Sequence, residues 1–232
     1  MPSPPVISLT TPHNVQKWTG TRPDMVTDME SSTSAARTGR PRSAAADTAI
    51  LAATREALVE LGWSGLTLGD VATRAGVAKT TLYRRWAGKS ELVVDAVAEL
   101  FDELELPDRG SLQADVEGVV LEFAALLEQP AAKTALMAVV AEATHDEALR
   151  QRIREAIVDR QKRLVIEGRR RAQSRGEIPA DQGDPAPQVD LIFDVIAGAV
   201  VHRTLVSCEA VDADWAARFA TVLLGGLTAY GS

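Results

Sequence analysis

Five cations, two threonines and a tyrosine fall within sixteen residues: Arg74, Lys79, Thr80, Thr81, Tyr83, Arg84, Arg85 and Lys89. Groups of this kind break no bonds by themselves. Gathered on one surface they suit a polyanion, because guanidinium, ammonium and hydroxyl donors displace the counterions around phosphates and reach the edges of bases. A second constellation, Glu142 and His145, has the Glu-x-x-His step by which helical bundles hold paired iron or manganese. Such a site needs two of these steps and two more carboxylates, and Ala199 stands three residues before His202, where the second glutamate would be required. The sequence also lacks a Gly-x-Ser-x-Gly elbow, a His-Glu-x-x-His pair and a glycine-rich phosphate loop. Binding rather than catalysis is therefore expected, with no metal and no cofactor.

A net charge of −7 argues against a nucleic-acid binder only until it is resolved along the chain. Residues 37–90 hold nine Lys and Arg against four acids, a local +5, whereas residues 91–232 carry −11 and residues 1–36 carry −1. Any polyanion surface thus belongs to residues 37–90. The hydrophobic content of 46% is enough for a sizeable core. Cys208 is the single cysteine, which excludes an intramolecular disulfide and a thiolate zinc cluster and fits a reducing cytoplasm. Residues 1–15 contain four prolines and no basic flank ahead of an apolar run, and apolar stretches such as 195–201 fall far short of a bilayer span. Neither a signal peptide nor a membrane segment is expected.

The elements that must position these residues read as helices. Residues 1–36 mix Pro, Ser, Thr and Gly without a sustained period, and disorder is expected because they cannot bury enough apolar surface to offset the entropy of ordering. From Ser43 onward Ile50, Leu51, Thr54, Leu58 and Leu61 recur at three and four residues, a first helix that Gly62 stops. Thr67 and Asp70 form a capping box opening a short helix that ends near Gly76, and a second short helix spans about 79–86 before Gly88. Two short helices across a glycine-containing turn are a helix-turn-helix candidate. Further helices are expected at 90–105, 111–128, 131–143, 146–175, 187–207 and 213–229. The Pro107 to Gly110 cluster, Pro130 and a Pro/Gly/Asp loop from Gly176 to Pro187 supply their breaks. The fold class is all-α with about nine helices, a three-helix head at 37–90 and a helical body at 91–232.

The stretch from Leu66 to Leu92, LTLGDVATRAGVAKTTLYRRWAGKSEL, resembles the helix-turn-helix of the TetR family of bacterial regulators. Its TL-x-x-VA capping segment, AGV turn, K-x-T-LY recognition helix and K-S-E-L helix start run over 27 positions without a gap. The body resembles one C-terminal variety of that family through LPDRGSL at 106–112, RGEIP at 175–179 and IAGAVVHRTLV at 196–206. The resemblance implies a homodimer that binds double-stranded operator DNA at two half-sites and releases it when a small-molecule effector enters the body.

Within that motif Lys79, Thr80, Thr81 and Arg84 are expected at base edges or nearby phosphates, since base contacts specify and backbone contacts position. By their place in the family motif Tyr83 and Lys89 are expected to anchor phosphates. Thr67 and Arg74, at the two ends of the preceding helix, complete the set. Val71, Ala72, Ala75, Val77, Leu82 and Trp86 face the three-helix core by their spacing, joined by Trp63 and Leu66. Ahead of the first helix, Thr38-Gly39-Arg40-Pro41-Arg42 resembles the AT-hook peptide, in which an extended arginine enters a narrow minor groove. A merely basic tail is the alternative, and on either reading Arg40 and Arg42 strengthen DNA binding.

In the body, the last two helices are rich in small and aliphatic residues, among them Ile196, Gly198, Val222, Gly225 and Gly226, and are expected to form the dimer interface. An ordinary intramolecular core is the alternative. Phe101, Phe123, Leu127, Met137, Val140, Phe193 and His202 are the bulky or polarizable candidates for an effector pocket, although apolar pockets and apolar cores share a composition. A DNA-binding dimer that takes no small ligand, its body docking a protein partner, is the rival reading. An apolar cavity in the body favours the effector; a filled body with an exposed apolar patch favours the partner.

Overall fold

The computed structural model describes residues 41–230, with side chains for residues 44–227. Arg40 and the segment 1–36 lie outside the described residues, as does the side chain of Arg42. The helices are α1 (Pro41–Gly65), α2 (Leu68–Arg74), α3 (Lys79–Tyr83), α4 (Lys89–Asp102), α5 (Leu112–Glu128), α6 (Pro130–Ala143), α7 (Glu147–Ile153), α8 (Asp159–Ser174), α9 (Ala186–Val201) and α10 (Ala213–Tyr230). A π turn, Arg154–Val158, joins α7 to α8 without a break, and a second, His202–Val206, extends α9. Counting α7 and α8 as one rod, nine helical rods and no strand occur among the described residues.

The glycine signals act as stops. Gly62, at φ +66, breaks the helical path inside α1 three residues before its end. After α2, Gly76 takes φ +65, the amide of Val77 donates to Ala72 O at 3.0 Å, and that of Gly76 donates to Thr73 O at 3.3 Å. This pair of bonds is a Schellman closure, which satisfies carbonyls that the helix end would otherwise orphan and needs a residue without a Cβ penalty. At the other end of α2 the Thr67 hydroxyl oxygen accepts from the Asp70 amide at 3.2 Å, the cap that its sequence announces. The expected helix at 79–86 is regular only to Tyr83. Beyond it the amide of Arg85 donates to Leu82 O, three residues back, so the last turn tightens and stops at Trp86.

α4 is buried nearly all round, through Leu92, Val93, Val94, Ala96, Val97, Ala98, Leu100 and Phe101. It packs against α1, α6, α7, α8 and the first π turn, so it joins head to body. Its polar residues Asp95, Glu99 and Asp102 follow helical spacing and are all paired: Asp95 with Arg152 at 2.5 Å, Glu99 with Arg55 at 2.5 Å, and Asp102 with Arg160. α5 organises the body, packing against α6, α8, α9 and α10. At the basic end of α8 three of four arginines are tied down, and Arg170 stays largely exposed beside Glu167. Arg169 pairs with Asp181, Arg171 with Glu167, and Arg175 with Asp108 at 2.7 Å and Asp115 at 2.8 Å. Arg175, together with Arg171 through its bond to Leu106 O, holds the loop before α5 to the rod, and Arg169 holds the loop before α9. No single helix among the described residues is long and apolar enough to cross a membrane.

Candidate DNA interface and body cavity

In the head the core residues turn inward as their spacing requires. Leu66, Val71, Ala72, Leu82 and Trp86 are buried, and Trp63, Ala75 and Val77 pack against them half-buried. That leaves one face of α3 outward. Lys79, Thr80, Tyr83 and Arg84 are exposed, Tyr83 by 60%, and Thr81 is half-buried at the edge of the face. Residues 80, 83 and 84 are neighbours on a helix surface, so two hydroxyls and a guanidinium stand side by side. Arg85 differs: it pairs with Asp47 and ties the recognition segment to α1.

Of the other candidates Lys79 lies against α2, and Thr67, Arg74 and Lys89 have intramolecular partners. The ammonium of Lys79 lies over Gly69 in α2, 2.9 Å from where a Cβ would stand. Thr67 spends its hydroxyl on Asp70, accepting from the amide and donating to the carboxylate at 2.5 Å. Arg74 pairs with Glu60 at 2.6 Å on an exposed surface. Hydrogen bonding to that carboxylate raises the guanidinium above its ordinary pKa, and the guanidinium in turn holds Glu60 below the usual carboxylate value. Lys89 points inward: its ammonium donates to Trp63 O at 2.8 Å and lies 4.7 Å from the centre of the Trp63 ring. It clamps the start of α4 to the end of α1.

The body holds a cavity of about 260 Å³ between α4, α5, α6, α8, α9 and the first π turn. Phe101, Phe123, Val140 and Phe193 line it, and the first two meet ring to ring at 5.8 Å. Three of the expected pocket residues do not. Leu127 is fully buried in the core, Met137 is half exposed on the outer face of α6, and His202 is exposed in the second π turn near the Ser207 hydroxyl. A helical period tells which side of a helix is buried, not whether the buried side meets a void or another side chain. Ile153, Ile157, Gln161 and Ile196 line the cavity and were not among the expected residues. Gln161 was legible in one respect, since it shares a face with Leu164, Gly168 and Ala172, all buried, on an otherwise hydrophilic helix.

Residues 50–96 match the profile of the bacterial regulatory proteins of the tetR family, and residues 106–223 match the tetracyclin repressor-like C-terminal domain. The chain belongs to the TetR family of transcriptional regulators. It is 31% identical over 163 residues to an HTH-type transcriptional regulator of Mycobacterium bovis, covering 69% of this chain and 76% of that one. It is also 31% identical over 170 residues to the DNA-binding transcriptional repressor TetR of Mycobacteroides abscessus, 71% of this chain and 83% of that one. Among solved structures, the TetR family transcription regulator SCO0332 superposes with a TM-score of 0.64 at 30% identity, over 78% of this chain and 97% of that one. FadR from Bacillus subtilis, solved in complex with stearoyl-CoA, shares the fold with a TM-score of 0.59 at 18% identity, over 77% and 98%. TetR family members are regulators and not enzymes, and they bind operator DNA as dimers through the helix-turn-helix that α2 and α3 form here.

Proposed function

We propose that this TetR family member is a cytoplasmic, effector-controlled repressor, which binds its operator as a homodimer and leaves it when a small molecule occupies the body cavity. In each head Lys79, Thr80, Thr81 and Arg84 meet base edges and adjacent phosphates, and Tyr83 anchors a phosphate. Thr67 and Arg74 border that surface, Lys89 holds α4 in place behind it, and Arg40 and Arg42 strengthen DNA binding as a basic arm.

The observation that carries effector control is a shared rod. Ile153 and Ile157 line the cavity, and Arg152, on the same rod, pairs with Asp95, which accepts from the Trp86 indole at the end of the recognition segment. A ligand that displaces the π turn moves Arg152, and through Asp95 it biases the setting of the head. Operator DNA and effector then select different separations of the two recognition helices. Each weakens the other by the same factor.

For the dimer we assign α9 and α10 to contact with a second copy of this chain. Leu191 and Val195 on α9 and Val222 on α10 are exposed, Val222 by 75%, and open space lies above Gly198 and Gly226. Small residues that face no neighbour in their own chain fit close approach of another helix. The cavity favours this reading over a DNA-binding dimer whose filled body docks a protein partner.

Selection of bound sequences from a random duplex library tests the proposal. An inverted repeat, bound by two chains with half-sites one helical turn or a multiple apart, is expected. Salt-labile binding with no enriched motif would refute it.

A further inference from the structure

The cavity wall carries three polar side chains among its lining residues, Asp115, Gln161 and Arg169. Two are satisfied. Asp115, 1% exposed, accepts from the Arg109 amide at 2.7 Å and from the Arg175 guanidinium at 2.8 Å. Arg169 pairs with Asp181. Gln161 is different: it is 4% exposed, its Nε2 donates to Asp102 Oδ1 at 3.4 Å, and its Oε1 is buried without a hydrogen-bond partner. The carboxylate fixes the orientation of the amide, because turning it over would set Oε1 against a carboxylate oxygen. A buried amide oxygen without a donor is costly, and because the Gln161 side chain lines the cavity, a ligand that enters it and shifts the amide can supply that donor.

Resting on the effector reading above, we propose that the effector is a neutral, mainly apolar molecule of about two rings that donates one O–H or N–H to Gln161 Oε1. Size follows from the volume. A cavity of about 150 Å³ takes one benzene, so 260 Å³ suits roughly two fused rings. Neutrality follows from the charges. With Arg169 compensated by Asp181 and Asp115 compensated by Arg175, a desolvated carboxylate or phosphate finds no uncompensated cation among the lining residues. Donation rather than acceptance follows from Gln161, whose N–H faces Asp102 while its oxygen lacks a donor. The same amide links the ligand to α4, since Asp102 lies on the stripe with Asp95 and Glu99.

The test uses the full chain and three probes of one shape, 2-naphthol, naphthalene and 2-naphthoate, compared by titration calorimetry at neutral pH. 2-Naphthol is expected to bind about five- to tenfold more tightly than naphthalene, and naphthoate to bind more weakly than either. In Gln161→Met the naphthol advantage disappears while naphthalene affinity stays within about twofold. Should that variant fail to fold, the ranking on the unsubstituted chain decides alone. Equal affinity for naphthol and naphthalene, preference for naphthoate, or no binding of all three overturns the proposal. Release of operator DNA is read separately, by fluorescence anisotropy. Naphthol preference without release upholds the neutral donor ligand and overturns effector control.

Discussion

The indole N–H of Trp86 donates to Asp95 Oδ2 at 2.9 Å, which joins the last turn of the recognition segment to the helix connecting head and body. The other oxygen of Asp95 is held by Arg152, beside the cavity-lining Ile153. Trp86 is 5% exposed, so its N–H has little access to water if the carboxylate is removed.

Asp95→Ala should therefore cost about 1–3 kcal/mol, the penalty for a buried donor left unpaired, and lower Tm by several degrees. Asp95→Asn keeps an oxygen for the indole and loses the charge facing Arg152, so it should recover most of the Tm. Thermal unfolding of both variants checks this, and an equal loss in the two would show that the indole bond is not what Asp95 supplies.

On the outward face of α3, Tyr83→Phe combined with Arg84→Ala should weaken binding to unrelated duplex and, because Arg84 also reaches base edges, weaken binding to operator more. The dependence of log K on log salt should flatten by about one unit for each phosphate that the variant no longer neutralises. Titrations at three salt concentrations measure the slope. An unchanged slope would show that these residues do not meet phosphates.

Glu60→Gln releases Arg74 from its ion pair. Because Glu60 is held below the usual carboxylate pKa, the pair is complete at neutral pH, and what it contributes is lost only as pH falls through that lowered value. At pH 7 the variant should bind non-specific DNA more tightly and with a steeper salt slope, as one more cation becomes available. Tighter binding with no change in slope would mean that Arg74 meets no phosphate.

The head was legible in residue types because its chemistry is local. Thr67 and Asp70 announce a cap, Gly76 occupies a left-handed turn, and Leu82 and Trp86 alternate with the exposed Tyr83 and Arg84 within a single helical turn. The cavity was legible only in part, because it is made where five helices fail to fill the space between them. Phe101 and Phe193 were nameable as bulky apolar residues, whereas Leu127, equally apolar, meets solid core. Gln161 gave a helical-face signal but nothing to say that its oxygen would be buried and unmatched. The inward turn of Lys89 depends on Trp63, 26 residues earlier, a tertiary contact that no local pattern encodes.

Val222 is three-quarters exposed on α10. Val222→Glu should halve the mass in sedimentation and leave the fold intact, because a charge is well solvated there in a single chain and desolvated between two. A dimer of undiminished mass would place the interface elsewhere.

Whether the state of the cavity governs operator affinity is tested most directly by filling the cavity without a ligand. Ala197 lines it and is half-buried, so Ala197→Phe puts an aromatic ring where the effector would lie. On the duplex recovered by selection, the variant should bind the operator about 5- to 150-fold more weakly, the usual range of allosteric coupling. Its dimer mass and its affinity for unrelated duplex should be unchanged. Operator affinity equal to that of the unsubstituted chain, in a folded variant with its cavity filled, would contradict the account.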